Sequence, residues 1–475
     1  MLTFADALEA LTGLRPEHAA TVITEAAIDS RQVIPGSLFV AIPGERADGH
    51  DFVGEAFRRG ASFALIQRDV DASLRTLDLR GGLTADPAFD LNSPLCLRVD
   101  NTVTALQKIA RFWRRKLNLR VVGITGSVGK STTKEVVAQV LSQRYRTLKS
   151  PGNLNNEIGL PLTVLSVPPD TRFVVLEMGA GKPGDIAYLA QIAKPRIGLV
   201  NNIAPAHLER MGSIEMIAQT KGALYSALPA DGVAVINADD AFAGCFSELA
   251  QGRRVLRFGL DAPADVSARF DASSNPGAFT LVSPAGEIEV SLALGGRHNT
   301  MNALAAASLA LACAVPLETI KRGLESASAV PGRSARRAHA SGAWLIDDTY
   351  NANPASFAAA VATLAACSGR RILVAGDMRE LGPGAQSLHA QVGELAKASG
   401  IDALYAVGEL SEATARAFGR QARHFADQAT LIEALRDELV AGNTLLIKGS
   451  RGSAMDRVVD ALLAGPAENG GRHAA

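Results

Sequence analysis

The chain has 475 residues, 47% hydrophobic and 20% charged: the balance of a globular protein with large cores, too long for one of them, so about three domains are expected. Its 48 Lys plus Arg cancel 48 Asp plus Glu, which excludes a general attraction to nucleic acid or anionic membrane and makes any anion site a local one. The N-terminus lacks a basic-then-apolar leader, no stretch is apolar enough to span a bilayer, and Cys96, Cys245, Cys313 and Cys367 are isolated, so a cytoplasmic protein with reduced thiols is expected.

Residues 28–60 are loop-rich, with Pro35-Gly36, an apolar strand Ser37-Leu-Phe-Val-Ala-Ile42 and a polar run from Gly44 to Asp51, and a small α/β domain over 1–100 is expected. A helix over 103–117 leads to the buried strand Arg120-Val-Val-Gly-Ile-Thr125, then to Gly126-Ser-Val-Gly-Lys-Ser-Thr132 and a helix whose Val136, Val137, Val140 and Leu141 recur at helical spacing. Apolar strands at 173–177, 197–201 and 233–237 alternate with helical patterns, as in a doubly wound parallel sheet. Short alternating runs over 255–295 suit an antiparallel excursion, and an Ala-rich helix over 299–314, stopped by Pro316, closes a central domain at 101–315. Strands at 371–375, 403–407 and 444–448 end in Gly-containing turns and make 316–465 a Rossmann-like domain whose strand ends are candidate binding edges. Residues 466–475 are expected to be a disordered tail. The fold class is therefore α/β in three domains: a central P-loop parallel-sheet ATPase domain between a small N-terminal α/β domain and a C-terminal Rossmann-like one.

The strand-loop-helix around Thr125, Gly126, Ser127, Val128, Gly129, Lys130, Ser131 and Thr132 carries the clearest chemistry. Glycines let the backbone approach a phosphate, helix N-terminal amides point at its oxygens, Lys130 supplies charge, and Ser131 can hold Mg²⁺. Ile124 stands where the usual first glycine would be, so a variant loop is implied; a turn that binds nothing is the alternative. Glu177, at a strand end, suits a second Mg²⁺ ligand, a residue ordering the attacked phosphate, or an ordinary solvent-facing carboxylate. His207 is a ligand or a structural hydrogen-bonder. Lys221 lies in a helical pattern, where a solvated or salt-bridged lysine is the default. Asn299 and Asn302, one turn apart near a helix start, read a base edge or cap the helix. Asp347-Asp-Thr-Tyr-Asn-Ala-Asn-Pro354, Gly376-Asp-Met-Arg-Glu-Leu-Gly382 and Lys448-Gly-Ser-Arg-Gly-Ser453 read as strand-end loops able to bind carboxylate or phosphate.

Together these motifs resemble the Mur ligase family over all three domains, with the compact phosphate loop followed in order by Gly152-Asn-Leu-Asn-Asn-Glu-Ile-Gly-Leu-Pro161, Glu177-Met-Gly179, Ala206-His-Leu-Glu209, Asn237-Ala-Asp-Asp240 and Arg297-His-Asn-Thr-Met-Asn302. Asp29-Ser-Arg31, the run from Gly44 to Phe52 and the loops at Asp347 and Gly376 narrow the resemblance further. It implies an ADP-forming peptide ligase of peptidoglycan precursor synthesis that uses ATP and Mg²⁺ and works through an acyl phosphate. Its partners would be UDP-N-acetylmuramoyl-tripeptide and D-alanyl-D-alanine, with no nucleic acid or membrane insertion, and a monomer is expected. Lys130, Glu177, His207 and Lys221 would be catalytic. Ser131, Glu177, His207 and a carbamylated Lys221 would hold the metal. Asn299, Asn302, Arg333 and Asp348 would join the phosphate loop in binding ATP; Asp29, Ser30 and Arg31 would face the uridine end, Asn155 and Asn156 the muramoyl-peptide side, and Asn351, Asn353 and Arg379 the incoming dipeptide. A folylpolyglutamate synthetase-like ligase and a P-loop ATPase acting on a macromolecule are the alternatives, separable by whether an amide forms.

Overall fold

The computed structural model describes residues 1–44, 47–83, 94–205, 208–270, 277–293, 296–327 and 332–464. Four sheets occur among the described residues, and the three larger ones have central apolar strands buried on both faces, as parallel strands covered by helices must be. The N-terminal sheet runs Ala26–Ala27, Leu38–Val40, Phe63–Ile66, Leu95–Arg98, Thr76–Asp78, all parallel. The expected tail at 466–475 lies outside the described residues.

The central sheet is parallel throughout, in the order Arg254–Phe258, Val233–Asn237, Ile197–Val200, Arg120–Thr125, Phe173–Glu177, Thr147–Lys149. Strand Arg120–Thr125 therefore has Phe173–Glu177 on one side and Ile197–Val200 on the other, so the phosphate loop opens between Glu177 and Asn201. The antiparallel excursion is smaller than its expected span: residues 254–258 pair in parallel with Val233–Asn237, and only Ser267–Arg269, Ala278–Ser283 and Gly286–Ser291 form the antiparallel sheet. The Ala-rich helix, Arg297–Ala312, packs with helix Lys130–Ser142 in one core that also takes Ile320 and Leu324. Those two belong to helix Leu317–Glu325, which lies beyond residue 315 in sequence but joins the central body because its apolar face is buried there.

The C-terminal sheet is ordered Ala335–Ala338, Trp344–Asp348, Asn443–Lys448, Arg370–Gly376, Ala403–Val407, Ala422–Phe425, with only the first pair antiparallel. Its central strands put the loops after Asp348 and Lys448 side by side, facing the phosphate loop. Helix Thr102–Lys116 fastens the N-terminal body to the rest: its Leu106, Ile109 and Trp113 share a core with Phe4, Leu65, Leu160 and Leu189. Asp6, only 4% exposed, takes Lys116 Nζ at 2.6 Å and Arg15 Nη1 at 2.7 Å. Among the described residues no helix is long and apolar enough to cross a membrane.

Candidate active site

A cleft of about 790 Å³ lies between the central and C-terminal bodies, with the phosphate loop on its floor. The loop conformation needs its glycines. Gly129 has φ +81°, and a Cβ there would stand 2.4 Å from Asn201 Nδ2 and 2.5 Å from Asn302 Oδ1, so any other residue would both strain the backbone and displace these two amides. Three asparagines brace the loop from strand ends: Asn202 Oδ1 accepts from Val128 N at 2.9 Å, Asn201 Nδ2 donates to Val128 O at 2.9 Å, and Asn237 Nδ2 holds Asn201 O at 3.0 Å. Asn237 entered the sequence reading only as the first residue of a family motif, and Asn201 and Asn202 were not singled out, since an asparagine after an apolar strand carries no local signal.

Glu177 is 2% exposed, which excludes the solvent-facing reading. Its Oε2 accepts from Ser131 Oγ at 2.6 Å and lies 3.6 Å from Lys134 Nζ, while Oε1 accepts from Asn155 Nδ2 at 2.8 Å. Burial alone would raise its pKa, but the charge of Lys130, the Ser131 hydroxyl, Lys134 and Asn155 outweigh it and hold the carboxyl below the usual glutamate value. Lys134, 1% exposed, also donates to Gly152 O at 3.0 Å, so the phosphate-loop helix grips the segment carrying Asn155 and Asn156. Asn156 spends its Oδ1 on Gly159 N at 2.8 Å; both asparagines line the cleft.

Lys130 Nζ donates to Gly126 O at 2.8 Å, and Lys221 Nζ reaches the same carbonyl at 3.1 Å. Lys221 is 2% exposed and makes no ion pair among the described residues. The solvated or salt-bridged default is thus wrong, because helix Ile214–Ser226 turns Ile217, Lys221 and Leu224 inward on one face. Burial first, then the Lys130 charge, push its pKa well below the ordinary lysine value, and Asp185 opposes them weakly. Lys130 is also lowered, by burial and by Arg333, with Glu177 acting the other way. His207 lies outside the described residues.

From the C-terminal body, Arg333 Nη2 donates to Ser131 Oγ at 2.7 Å, crossing 202 positions of sequence, and its guanidinium sits 4.0 Å from the Tyr350 ring centre. Asp348 accepts from Lys448 Nζ at 2.6 Å and Ser334 N at 3.0 Å. Lys448, 2% exposed, also donates to Asn351 O at 2.9 Å. His298 faces this pair across the cleft; burial lowers its pKa, Asp348 raises it and Lys448 lowers it. Asn299 and Asn302 line the cleft, but Asn302 is 8% exposed and its Oδ1 accepts from Asn201 Nδ2 at 3.2 Å, which makes it a brace for the loop. Asn351 and Asn353 also line the cleft, with Asn353 capping helix Pro354–Ala365 through Oδ1 to Ser356 N at 2.8 Å.

Two groups lie away from this cleft. Arg379 is exposed and not among its lining residues; its side chain lies over Gly452, where a Cβ would approach within 3.0 Å. Asp29, Ser30 and Arg31 sit on the N-terminal body. Asp29 caps the short helix Ser30–Gln32 and pairs with Arg31 Nη2 at 2.7 Å; that bond above all pulls its pKa down to about 2. Ser30 Oγ donates to Glu55 at 3.2 Å.

The donor set fits Mg²⁺. Ser131 Oγ and Glu177 Oε2 are adjacent hard oxygens beside a phosphate loop, and no cluster of three or more His, Cys, Asp or Glu occurs among the described residues. One carboxylate and one hydroxyl completed by phosphate oxygens is how proteins commonly hold this ion.

Three family models match: the Mur ligase family catalytic domain over residues 22–114, the Mur ligase middle domain over 124–310, and the Mur ligase glutamate ligase domain over 332–451. The chain is 42% identical over 439 residues to the UDP-N-acetylmuramoyl-tripeptide–D-alanyl-D-alanine ligase of Escherichia coli, covering 91% of this chain and 92% of that one. A crystal structure of MurF from Acinetobacter baumannii superposes with a TM-score of 0.85 at 31% identity, covering 98% of this chain and 99% of that one. MurF ligase from Thermotoga maritima in complex with ADP follows at 0.77 and 29% identity, covering 93% and 97%. A Mycobacterium tuberculosis folylpolyglutamate synthase shares the fold alone, at 16% identity over 76% of this chain and 94% of that one, with a TM-score of 0.63.

Proposed function

The chain belongs to the Mur ligase family, and we propose from that premise how its cleft works. It is an ATP-dependent, ADP-forming ligase that adds D-alanyl-D-alanine to UDP-N-acetylmuramoyl-tripeptide in peptidoglycan precursor synthesis. The observation that carries the mechanism is the meeting of Lys130, Ser131, Glu177 and Arg333 at one phosphate loop.

The terminal carboxylate of the tripeptide attacks the γ-phosphorus of ATP, the bond to the β-phosphate oxygen breaks, and ADP leaves an acyl phosphate. The free amine of the dipeptide then adds to the acyl carbon, the tetrahedral intermediate expels phosphate, and the nitrogen releases its proton to give the amide. No enzyme nucleophile is required. The chain's task is to hold two anions together and to offset their repulsion, which Lys130 and Arg333 can do with preoriented charge. Mg²⁺ held by Ser131 and Glu177 would add charge neutralisation at the phosphates.

Further assignments rest on placement and family. The cleft side formed by Asn155 and Asn156 suits the peptide, and Asn299 and Asp348 suit the nucleotide. Asn351 and Asn353 suit the dipeptide, and Asp29, Ser30 and Arg31 suit the uridine end. Lys221 suits a carbamate: a buried lysine with depressed pKa is a neutral amine able to add CO₂ and lose a proton, and the anion formed would balance Lys130. ATP dependence supports the cytosol. Incubation with ATP, Mg²⁺, the tripeptide nucleotide and D-alanyl-D-alanine, followed by mass spectrometry, should show the pentapeptide product. ADP release without amide would overturn the reading and favour an ATPase.

A further inference from the structure

Arg333 is a cation with an unusual set of neighbours. Its Nη2 donates to Ser131 Oγ at 2.7 Å. Its Nε is buried without a hydrogen-bond partner, and no carboxylate pairs with it among the described residues. A guanidinium is ordinarily aimed by a bidentate carboxylate. Among the described residues the Tyr350 ring lies against it, its centre 4.0 Å from the guanidinium carbon, well inside cation–π range.

The ring is itself fixed. Tyr350 N donates to Gly332 O at 3.0 Å, tying it to the residue just before Arg333. Gly332 has φ +72°, and a Cβ there would stand 3.3 Å from Tyr350 Cβ, so the two segments approach closely. One residue on, Asp348 takes Ser334 N at 3.0 Å. The loop Asp348-Thr-Tyr350 therefore holds the backbone on both sides of Arg333, through the Tyr350 amide and the Asp348 carboxylate, and presents an aromatic face to its side chain. Arg451 lies on the same ring at 6.0 Å, too far to compete with Arg333.

We propose that Tyr350 is a positioning residue: its ring holds the Arg333 guanidinium over the phosphate loop, doing for a cation in the anion-binding cleft what a carboxylate would do elsewhere. A carboxylate in that place would repel the triphosphate and neutralise the arginine, whereas an aromatic face orients it and leaves its full charge for phosphate. This inference rests on the reading of the cleft as an ATP site. The phenol hydroxyl has no part in it, since the ring face alone makes the contact.

The test is a double-mutant cycle on the full chain, read both as kcat/KM for ATP in amide formation and as calorimetric affinity for ADP. Tyr350→Leu should lower kcat/KM for ATP about 10-fold, the range of a desolvated cation–π contact, and leave KM for the tripeptide nucleotide within about 2-fold. Tyr350→Phe, which keeps the ring, should recover most of that loss, and Tyr350→Met replaces the leucine variant if the latter melts early. Arg333→Ala combined with Tyr350→Leu should be no worse than Arg333→Ala alone, because a residue that acts through another adds nothing once that other is gone. Losses that multiply in the double variant would overturn the proposal and make Tyr350 a direct contact of the nucleotide. A phenylalanine variant as impaired as the leucine one would also overturn it, by assigning the effect to the hydroxyl. Failure of the ligase reading would show separately, as ADP affinity without any amide product in the unaltered protein.

Discussion

Replacing Lys130 with alanine separates the chemistry of the cleft from its stability. Among the described residues its Nζ makes hydrogen bonds only to the carbonyls of Gly126 at 2.8 Å and Ser127 at 3.4 Å, and the side chain is half-buried on the cleft floor, so little packing is lost. Its charge attracts Glu177 and repels Arg333, so its removal forfeits the first and relieves the second; the change in folding stability should stay within about 1 kcal/mol. Catalysis loses far more. A unit charge about 4 Å from a phosphate oxygen in a medium of effective dielectric about 20 is worth roughly 4 kcal/mol, which is on the order of 10³ in rate. The same deletion should raise the Lys221 pKa, since the Lys130 charge is the second largest cause of its depression. Amide formation measured beside a thermal melt tests both halves. A folded Lys130→Ala protein turning over within 10-fold of the parent would refute the assignment of that charge to the transferred phosphate.

Gly129→Ala would force a Cβ to 2.4 Å from Asn201 at φ +81°, and should cost about 2 kcal/mol in a denaturant melt and abolish calorimetric ADP binding; unchanged ADP affinity would mean the loop does not hold phosphate. Asp29→Ala and Arg31→Ala, on the N-terminal body, should raise KM for the uridine nucleotide substrate about 10-fold and leave KM for ATP unchanged; equal effects would remove this body from uridine recognition. Lys221→Ala should be severely impaired and regain activity with a short-chain carboxylate, while Lys221→Arg should not, because it keeps a cation and fills the space. Full activity of the alanine variant would restore an ordinary lysine there.

The sheets were legible because buried parallel strands read as unbroken apolar runs: Phe173–Glu177, Val233–Asn237 and Ala403–Val407 stand where that pattern put them. Strand Arg254–Phe258 escaped because it lies at the edge of the central sheet and keeps Arg254 exposed and Arg257 half-exposed, which mimics antiparallel alternation. The phosphate loop and Glu177 were readable from local context. Asn201 and Asn202 were not, and the bracing task of Asn237 was not, since that task depends on strand order, which no local spacing encodes. Lys448 and Asp348 meet across 100 positions and Arg333 and Ser131 across 202, so those contacts exist only once the bodies have assembled. Lys221 was misread for a different reason: its spacing from Ile217 and Leu224 placed it on the buried face, and the usual preference of lysine for solvent was allowed to outweigh that periodicity.

The acyl-phosphate route has a direct isotopic signature. Tripeptide nucleotide labelled with ¹⁸O in its terminal carboxylate should yield inorganic phosphate carrying one labelled oxygen for each amide formed, because the oxygen that attacks the γ-phosphorus leaves with the phosphate when the amine displaces it. Unlabelled phosphate alongside the amide product would contradict activation of that carboxylate by phosphorylation.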